Sequence, residues 1–154
     1  MVQRTIINSA AGATLAISAS LPATYDASGY AATTITYTAV GQVENFGNHG
    51  VTATVTEFTP VDTSVVTKVK GSKNYGTMSM TLGSIPGDAG QIILKAASES
   101  SNRYSVKITY PDTSIHYMDI LVSKYEQTDG AVNDIQKITC DLAVCRAPVI
   151  VAQV

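Results

Sequence analysis

Apolar and polar side chains alternate along several short segments of the chain. Segments 51–58, 77–82, 103–110 and 135–144 each place apolar residues on one face of an extended strand and mainly polar residues on the other. Segment 32–40 is dense in the β-branched and aromatic residues that favour strands. The pattern predicts a protein built mainly of antiparallel β-strands.

Turn-forming residues separate these segments. GNHG lies between segments 32–40 and 51–58, while YPDTS and TDGAVND flank a further predicted strand over 115–127. The Asp-Gly pair within TDGAVND is typical of a hairpin turn, and the sequence misses the ligand spacing of a calcium loop. Consecutive strands are therefore expected to pair as hairpins.

One segment has the spacing of a helix. Four apolar residues between 92 and 97 recur at helical intervals, Asp88 is a plausible N-cap, and Gln91 occupies the glutamine position of a capping box. A helix is predicted over about 88–100. The fold class is α+β, mainly β: an antiparallel β-sandwich or barrel with one α-helix.

The composition suits a subunit whose flanks are covered by neighbours. The 154 residues are enough for one domain with a real core. Only 14% of them are charged, roughly half the usual share, which suits a subunit flanked by neighbours. The formal net charge of −2 provides no basic field that would recruit nucleic acid.

The first 31 residues are expected to form an N-terminal arm. Polar residues and glycine interrupt their apolar run, which argues against a secretory signal, and no stretch of the chain reaches transmembrane length. Cys140 and Cys145 are five residues apart and so lie on opposite faces of a strand, where they cannot bridge each other.

Residues that could carry chemistry are scarce. His49 lies in a turn and His116 on a predicted strand, and neither has a second good metal ligand nearby in sequence. No nucleophile elbow frames a serine, and the carboxylates are spread singly. We expect no enzyme, no catalytic residue, no metal site and no cofactor. A carbohydrate-binding module is an alternative, weakened by the absence of tryptophan.

The stretch TPVDTSVVTKVKGSKNYG is predicted to be a long polar loop over about 59–75. It contains Asp62, Lys68, Lys70 and Lys73. The glycine and lysine order of a phosphate loop is wrong and no helix follows, so a nucleotide site is excluded. Three lysines with one aromatic residue make a poor nucleic-acid patch. The stretch favours a solvated loop or one that contacts another subunit.

The order of elements resembles the major tail tube proteins of long-tailed, non-contractile bacteriophages, including the lambda-like ones. VGQVENFG is similar to the opening hairpin of that family, and KGSKNYGTMSMTL to its long loop and return strand. PGDAGQIILKA followed by RYSVKITYPD is similar to its helix and following hairpin. The resemblance implies a tail tube β-domain over 32–147 and leaves 148–154 as a C-terminal tail.

The resemblance also implies a function. Six subunits would form a ring, and stacked rings would form the tail tube of a virion, assembled in the host cytoplasm. Expected partners are further copies of the chain, a tape measure protein, a tail terminator and distal tail proteins, with no membrane. Double-stranded DNA would pass through the tube without specific binding. A tube of a contractile tail or related secretion system is the alternative within this class.

Site residues follow from the same resemblance. Asp62, Lys68, Lys70 and Lys73 would contact a neighbouring subunit. Glu44 and Glu57 would face the lumen as acidic residues, because basic wall residues would hold the phosphates of passing DNA.

Overall fold

The computed structural model describes residues 7 and 9–152. Ten strands and two helices occur within that part of the chain. In order they are β1 (Thr14–Ser18), α1 (Ala27–Tyr30), β2 (Thr38–Val40), β3 (Val43–Asn45), β4 (Thr52–Phe58), β5 (Thr67–Asn74), β6 (Thr77–Gly83), α2 (Ala89–Glu99), β7 (Tyr104–Thr109), β8 (Ile115–Thr128), β9 (Lys137–Val144) and β10 (Val149–Val151).

Eight strands form one antiparallel sheet. Its order is β2-β1-β7-β8-β9-β6-β3, and β10 pairs with β8. Strands β4 and β5 form a separate hairpin. The prediction of a mainly antiparallel α+β fold is confirmed. Two details differ: the sheet is not closed into a barrel, because β2 and β3 do not pair, and α1 is a second short helix.

The core lies on the apolar face of this sheet, beneath helix α2. The alternating segments predicted as strands supply most of it, and helix α2 packs against β8, β2 and β1. The core side chains that are at most 2% exposed include Leu15, Ile17, Met78, Met80, Leu82, Leu94, Val106, Ile108, Met118, Ile120, Ile138, Cys140 and Leu142. Burial of one face explains why these segments alternate so regularly.

Helix α2 begins where the two ends of the sheet approach each other. Strands β2 and β3 are joined by Gly41 and Gln42 alone, although they stand at opposite ends of the strand order. Gln91 is 2% exposed. Its Nε2 donates to the carbonyl oxygens of Gly41 at 3.2 Å and Gly83 at 2.8 Å, and its Oε1 accepts from the Ile85 N–H at 2.9 Å. Gln91 therefore links the helix to both sides of the gap.

The start of this helix is confirmed at Asp88, whose Oδ2 accepts from the Gln91 N–H at 3.0 Å. The expected capping box is wrong in its second half. The Gln91 side chain does not return to the Asp88 N–H, which donates instead to the Ile85 carbonyl oxygen at 3.1 Å. The Gln91 side chain instead contacts Gly41, Gly83 and Ile85 around the gap.

Three segment boundaries differ from expectation. Strand β1 lies within the predicted arm 1–31, and β10 lies within the predicted tail 148–154. Segment 32–40 is a strand only over Thr38–Val40, because a turn precedes it in which the Ile35 N–H donates to the Ala32 carbonyl oxygen at 3.1 Å. The part of the predicted arm before residue 7, together with residue 8, lies outside the described residues.

Both cysteines are free thiols. Cys140 belongs to the core, and its burial raises its pKa to about 12, so the thiol stays protonated and unreactive. Cys145 is half-buried just after β9. In the described part of the chain, no helix combines the length and hydropathy needed to cross a membrane.

Candidate functional site

Strands β4 and β5 project from the body of the protein. Within the described residues they pair with each other and with no other strand. Every residue of β5 is exposed, as is every residue of β4 except the half-buried Ala53. We call this hairpin, residues 52–74, the arm; it is distinct from the N-terminal arm predicted over residues 1–31.

The arm corrects the prediction of a long loop over about 59–75. Strand β5 occupies Thr67–Asn74 of that stretch, so only residues 59–66 at the tip connect the two strands. The apolar residues that alternate along segment 51–58 do not mark a buried face, because Val51 and Val55 are exposed. A two-stranded hairpin has no third layer to cover it, so both of its faces meet solvent.

A bulge brings the three lysines of the arm to one face. Ala53 is paired with Lys73 and Val55 with Lys70, so two residues of β4 span three of β5. In a regular strand Lys70 and Lys73 would point to opposite faces. Paired residues share a face, and Glu57 is paired with Lys68 two positions further along. The lysine face of the arm therefore carries Ala53, Val55, Glu57, Lys68, Lys70 and Lys73.

The opposite face of the arm carries apolar side chains and threonine hydroxyl groups. Thr56 is paired with Val69 and Phe58 with Thr67. The Phe58 side chain is 65% exposed, and Val61 at the tip is 99% exposed. Exposed apolar side chains gathered on one projecting element are typical of a surface that contacts another protein.

Charge on the lysine face is only partly balanced. Lys68 Nζ lies 3.1 Å from a carboxylate oxygen of Glu57. Lys70 and Lys73 form no ion pair with any other described residue, and neither does Asp62 in the tip. The arm thus presents two lysines that its own residues leave unneutralised.

The two predicted lumen residues lie on different sheets. Glu44 is on β3, at one end of the eight-stranded sheet, and its carboxylate is 2.8 Å from Lys137 Nζ on β9. Glu57 is on the arm instead of the main sheet. The structure therefore does not place these two acidic residues on one common strand surface.

Two histidines meet at the base of the arm. His49, in the turn before β4, and His116, on β8, are joined by a hydrogen bond of 2.8 Å between Nε2 and Nδ1. The Tyr110 ring packs edge-on against His116 at 4.8 Å. Burial lowers the pKa of both histidines, and their mutual repulsion lowers that of His116 further. The pair fastens the base of the arm to β8.

The fold gives each histidine a potential metal ligand in space that it does not have nearby in sequence. They are 67 residues apart in sequence, so no local motif could reveal the pair. Among the described residues, no group of three or more histidine, cysteine, aspartate or glutamate side chains is arranged to hold a metal ion.

A buried carboxylate is a second feature that could not be predicted from the sequence. The Asp119 side chain on β8 is fully buried, and its Oδ2 accepts from Arg103 at 3.1 Å and from Arg146 at 3.2 Å. The Arg146 guanidinium lies 3.9 Å from the centre of the Tyr25 ring. Burial raises the pKa of Asp119 while the two guanidiniums act to lower it. The cluster ties the segments before α1, before β7 and after β9 to the sheet.

No protein-family model and no curated protein sequence matches the chain. Solved structures match it over almost its full length. A chain in the anti-feeding prophage baseplate, a structure with sixfold symmetry imposed, is 10% identical with a TM-score of 0.69, covering 99% of this chain and 98% of that one. A chain in the PVC extracellular contractile injection system, sheath/tube terminator in the extended state, is 11% identical with a TM-score of 0.69, covering 99% and 100%.

A third structure with a similar fold comes from the SPP1 tail tube. That chain is 15% identical with a TM-score of 0.61, and the match covers 92% of this chain and 77% of that one. The protein therefore has the fold seen in components of phage tails and of contractile injection systems.

Proposed function

We propose that this chain is a structural, non-enzymatic subunit of a phage tail tube, the conduit for genome delivery into the host. The observation that carries the proposal is the arm. It stands outside the core, exposes Phe58 and Val61, and presents Lys70 and Lys73 without partners among the described residues. An isolated subunit gains nothing from such an element, whereas an assembled one uses it to hold a neighbour.

Open sheet edges support lateral assembly into rings. Strands β2 and β3 end the strand order, and β10 pairs with β8 alone among the described strands. An unpaired strand edge can pair with a strand of another chain and so promote aggregation. Closure of the subunits into a ring removes these exposed edges. Six subunits per ring is our proposal, supported by the resemblance in sequence and by the shared fold.

The lumen must let double-stranded DNA pass without specific binding. We place Glu44 on the lumen wall together with Lys137, because the carboxylate neutralises this lysine, which would otherwise retain phosphate. Glu57, paired with Lys68 on the arm, suits a subunit contact better than the wall. Asp62, Lys68, Lys70 and Lys73 are the proposed contacts with a neighbouring subunit.

Partners and location follow from this role. The tube would contain a tape measure protein and end at a tail terminator on one side and at distal tail proteins on the other. It would assemble in the host cytoplasm and function in the virion, without a membrane partner.

The first candidate is a non-contractile tail, from the resemblance in sequence. The second is a tube within a contractile system, favoured by the TM-score of 0.69 to the PVC extracellular contractile injection system against 0.61 to the SPP1 tail tube. Binding of a sheath protein from the same genome to assembled tubes separates them: binding favours the second candidate and its absence the first.

Negative-stain electron microscopy of the concentrated protein tests the proposal. Rings or tubes with a central channel are expected, with and without a preformed tail tip complex as a nucleus. A monomer at every concentration, even when seeded with that complex, would contradict the proposed function.

A further inference from the structure

A second exposed element lies at the opposite end of the sheet from the arm. Residues 129–136 connect β8 to β9, and we call them the acidic loop. Asp129 accepts from the Gln127 side-chain amide at 2.8 Å, and Asp134 accepts from the Ala131 N–H at 2.8 Å. Neither carboxylate forms an ion pair with a described residue. Val132 is fully exposed beside them.

The register of β6 fixes where these two elements stand. The arm ends at Asn74, shortly before β6 begins at Thr77. At the other end of β6, Gly83 is paired with Lys137 and the Ser84 N–H donates to the Gln136 carbonyl oxygen at 2.9 Å. A strand of this length spans about 20 Å. The arm and the acidic loop therefore leave opposite ends of the same strands.

We propose that the lysine face of the arm of one copy binds the acidic loop of the next copy along the tube. The inference deepens the proposed function and rests on it for the direction of stacking. Each copy then offers one arm at one end and one acceptor loop at the other. Such a head-to-tail contact repeats without closing, as growth of a tube requires.

The charges of the lysine face and of the acidic loop are complementary, which favours the acidic loop as the partner surface. Lys70 and Lys73 are the two unneutralised cations of the arm, and Asp129 and Asp134 are two acidic side chains without a cationic partner in the described structure. Opposite charges that meet across an interface steer the encounter and fix its register. Glu44, by contrast, is already held by Lys137.

Apolar surface accompanies the charges on both sides. Val55 lies opposite Lys70 on the lysine face and is exposed. Val132 and Ile135 are exposed in the acidic loop. A contact between the two elements thus covers valine and isoleucine side chains in addition to pairing charges, which is the composition expected of an interface with an apolar centre and a charged rim.

Two charge variants test the proposal. The arm variant carries Lys70→Glu with Lys73→Glu. The loop variant carries Asp129→Lys with Asp134→Asn, and the asparagine retains an oxygen for the Ala131 N–H. In each variant alone, arm and loop carry charge of the same sign. In a mixture, the negative arm of the arm variant meets the positive loop of the loop variant, and the positive arm of the loop variant meets the negative loop of the arm variant. Both contacts then pair opposite charges. Lys95→Glu on helix α2, outside both surfaces, is the control for a charge reversal away from the contact.

Binding is measured by analytical ultracentrifugation of the fluorescently labelled arm variant titrated with either unlabelled variant. The labelled arm variant should bind the loop variant at least about tenfold more tightly than it binds itself, and 1 M salt should remove the preference. The Lys95→Glu control should associate as the unmodified chain does.

Equal affinity for both variants would overturn the arm–loop contact. This result differs from failure of the proposed function. If the unmodified chain never forms rings or tubes while the heterotypic preference is present, the tube proposal fails and the contact stands. If tubes form without any preference between variants, the contact fails and the tube proposal stands.

Discussion

Replacing Gln91 with methionine tests whether this side chain holds the helix across the gap in the sheet. The change keeps the length of the side chain and removes three hydrogen bonds, to Gly41, Gly83 and Ile85. A buried polar group that loses its partner costs about 1–3 kcal/mol. Gly41 and Gly83 are half-buried and Ile85 is exposed, so water replaces part of the loss. We expect the free energy of unfolding to fall by about 2–4 kcal/mol.

Urea denaturation followed by circular dichroism measures this change. Ile92→Met is the matched control, because Ile92 is the next residue of the same helix and is 55% exposed. Its effect should stay within about 0.5 kcal/mol. A loss below about 1 kcal/mol for Gln91→Met, with an unchanged urea dependence, would show that the three hydrogen bonds do not hold the gap.

Three further changes probe the core and the two polar clusters. Met80→Ala creates a cavity in a fully buried site and should lower the free energy of unfolding by about 2–5 kcal/mol in urea; a smaller loss would mean that the sheet collapses around the site. Asp119→Ala removes the carboxylate that holds two partly exposed guanidiniums and should cost about 3 kcal/mol, measured by thermal denaturation; no change would contradict a stabilising role. Since His49 and His116 have lowered pKa values, the unfolded chain takes up protons first as the pH falls below the ordinary histidine value of 6.5, and stability should decline there. Replacing both with glutamine should flatten this decline, and an unchanged pH profile would refute the assignment.

The sheet could be predicted where one face of a strand is buried. Met78, Met80 and Leu82 alternate with polar residues because the core accepts only one side of β6. Helix α2 was also visible, since its N-cap at Asp88 is confirmed, but it buries Leu94 and Ala97 and exposes Ile92 and Ala96 of the predicted apolar positions. Strand β1 could not be predicted. Its five residues lie in a segment of small residues and show too little alternation to distinguish a strand from an irregular N-terminal segment.

The arm was harder to predict because both of its faces meet solvent. Val69 alternates with lysines, but without a buried face the alternation carries no contrast between apolar and polar sides. The exposure of Lys68, Lys70 and Lys73 could be expected from sequence. Their common face could not, since it depends on a bulge, for which Gly71 is the only local hint.

The polar clusters depend on contacts between distant parts of the chain. His49 and His116 form a hydrogen bond although 67 positions separate them in sequence. Asp119 forms ion pairs with Arg103, which precedes it in sequence, and with Arg146, which follows it. Each residue looks ordinary in its own segment. Only the order of the strands brings these side chains together, so a single sequence contains no spacing that would reveal them.

The central claim is that the arm joins subunits, and replacing the arm tests it most directly. Ala53 and Lys73 are paired, so residues 54–72 can be exchanged for an Asn-Gly turn between them. Because the arm packs against no other described element to a comparable extent, the shortened protein should keep the thermal stability and circular dichroism of the unmodified chain. Electron microscopy at matched concentrations should show tubes for the unmodified chain and no tubes for the shortened one. Normal tubes from a folded protein without the arm would contradict the account.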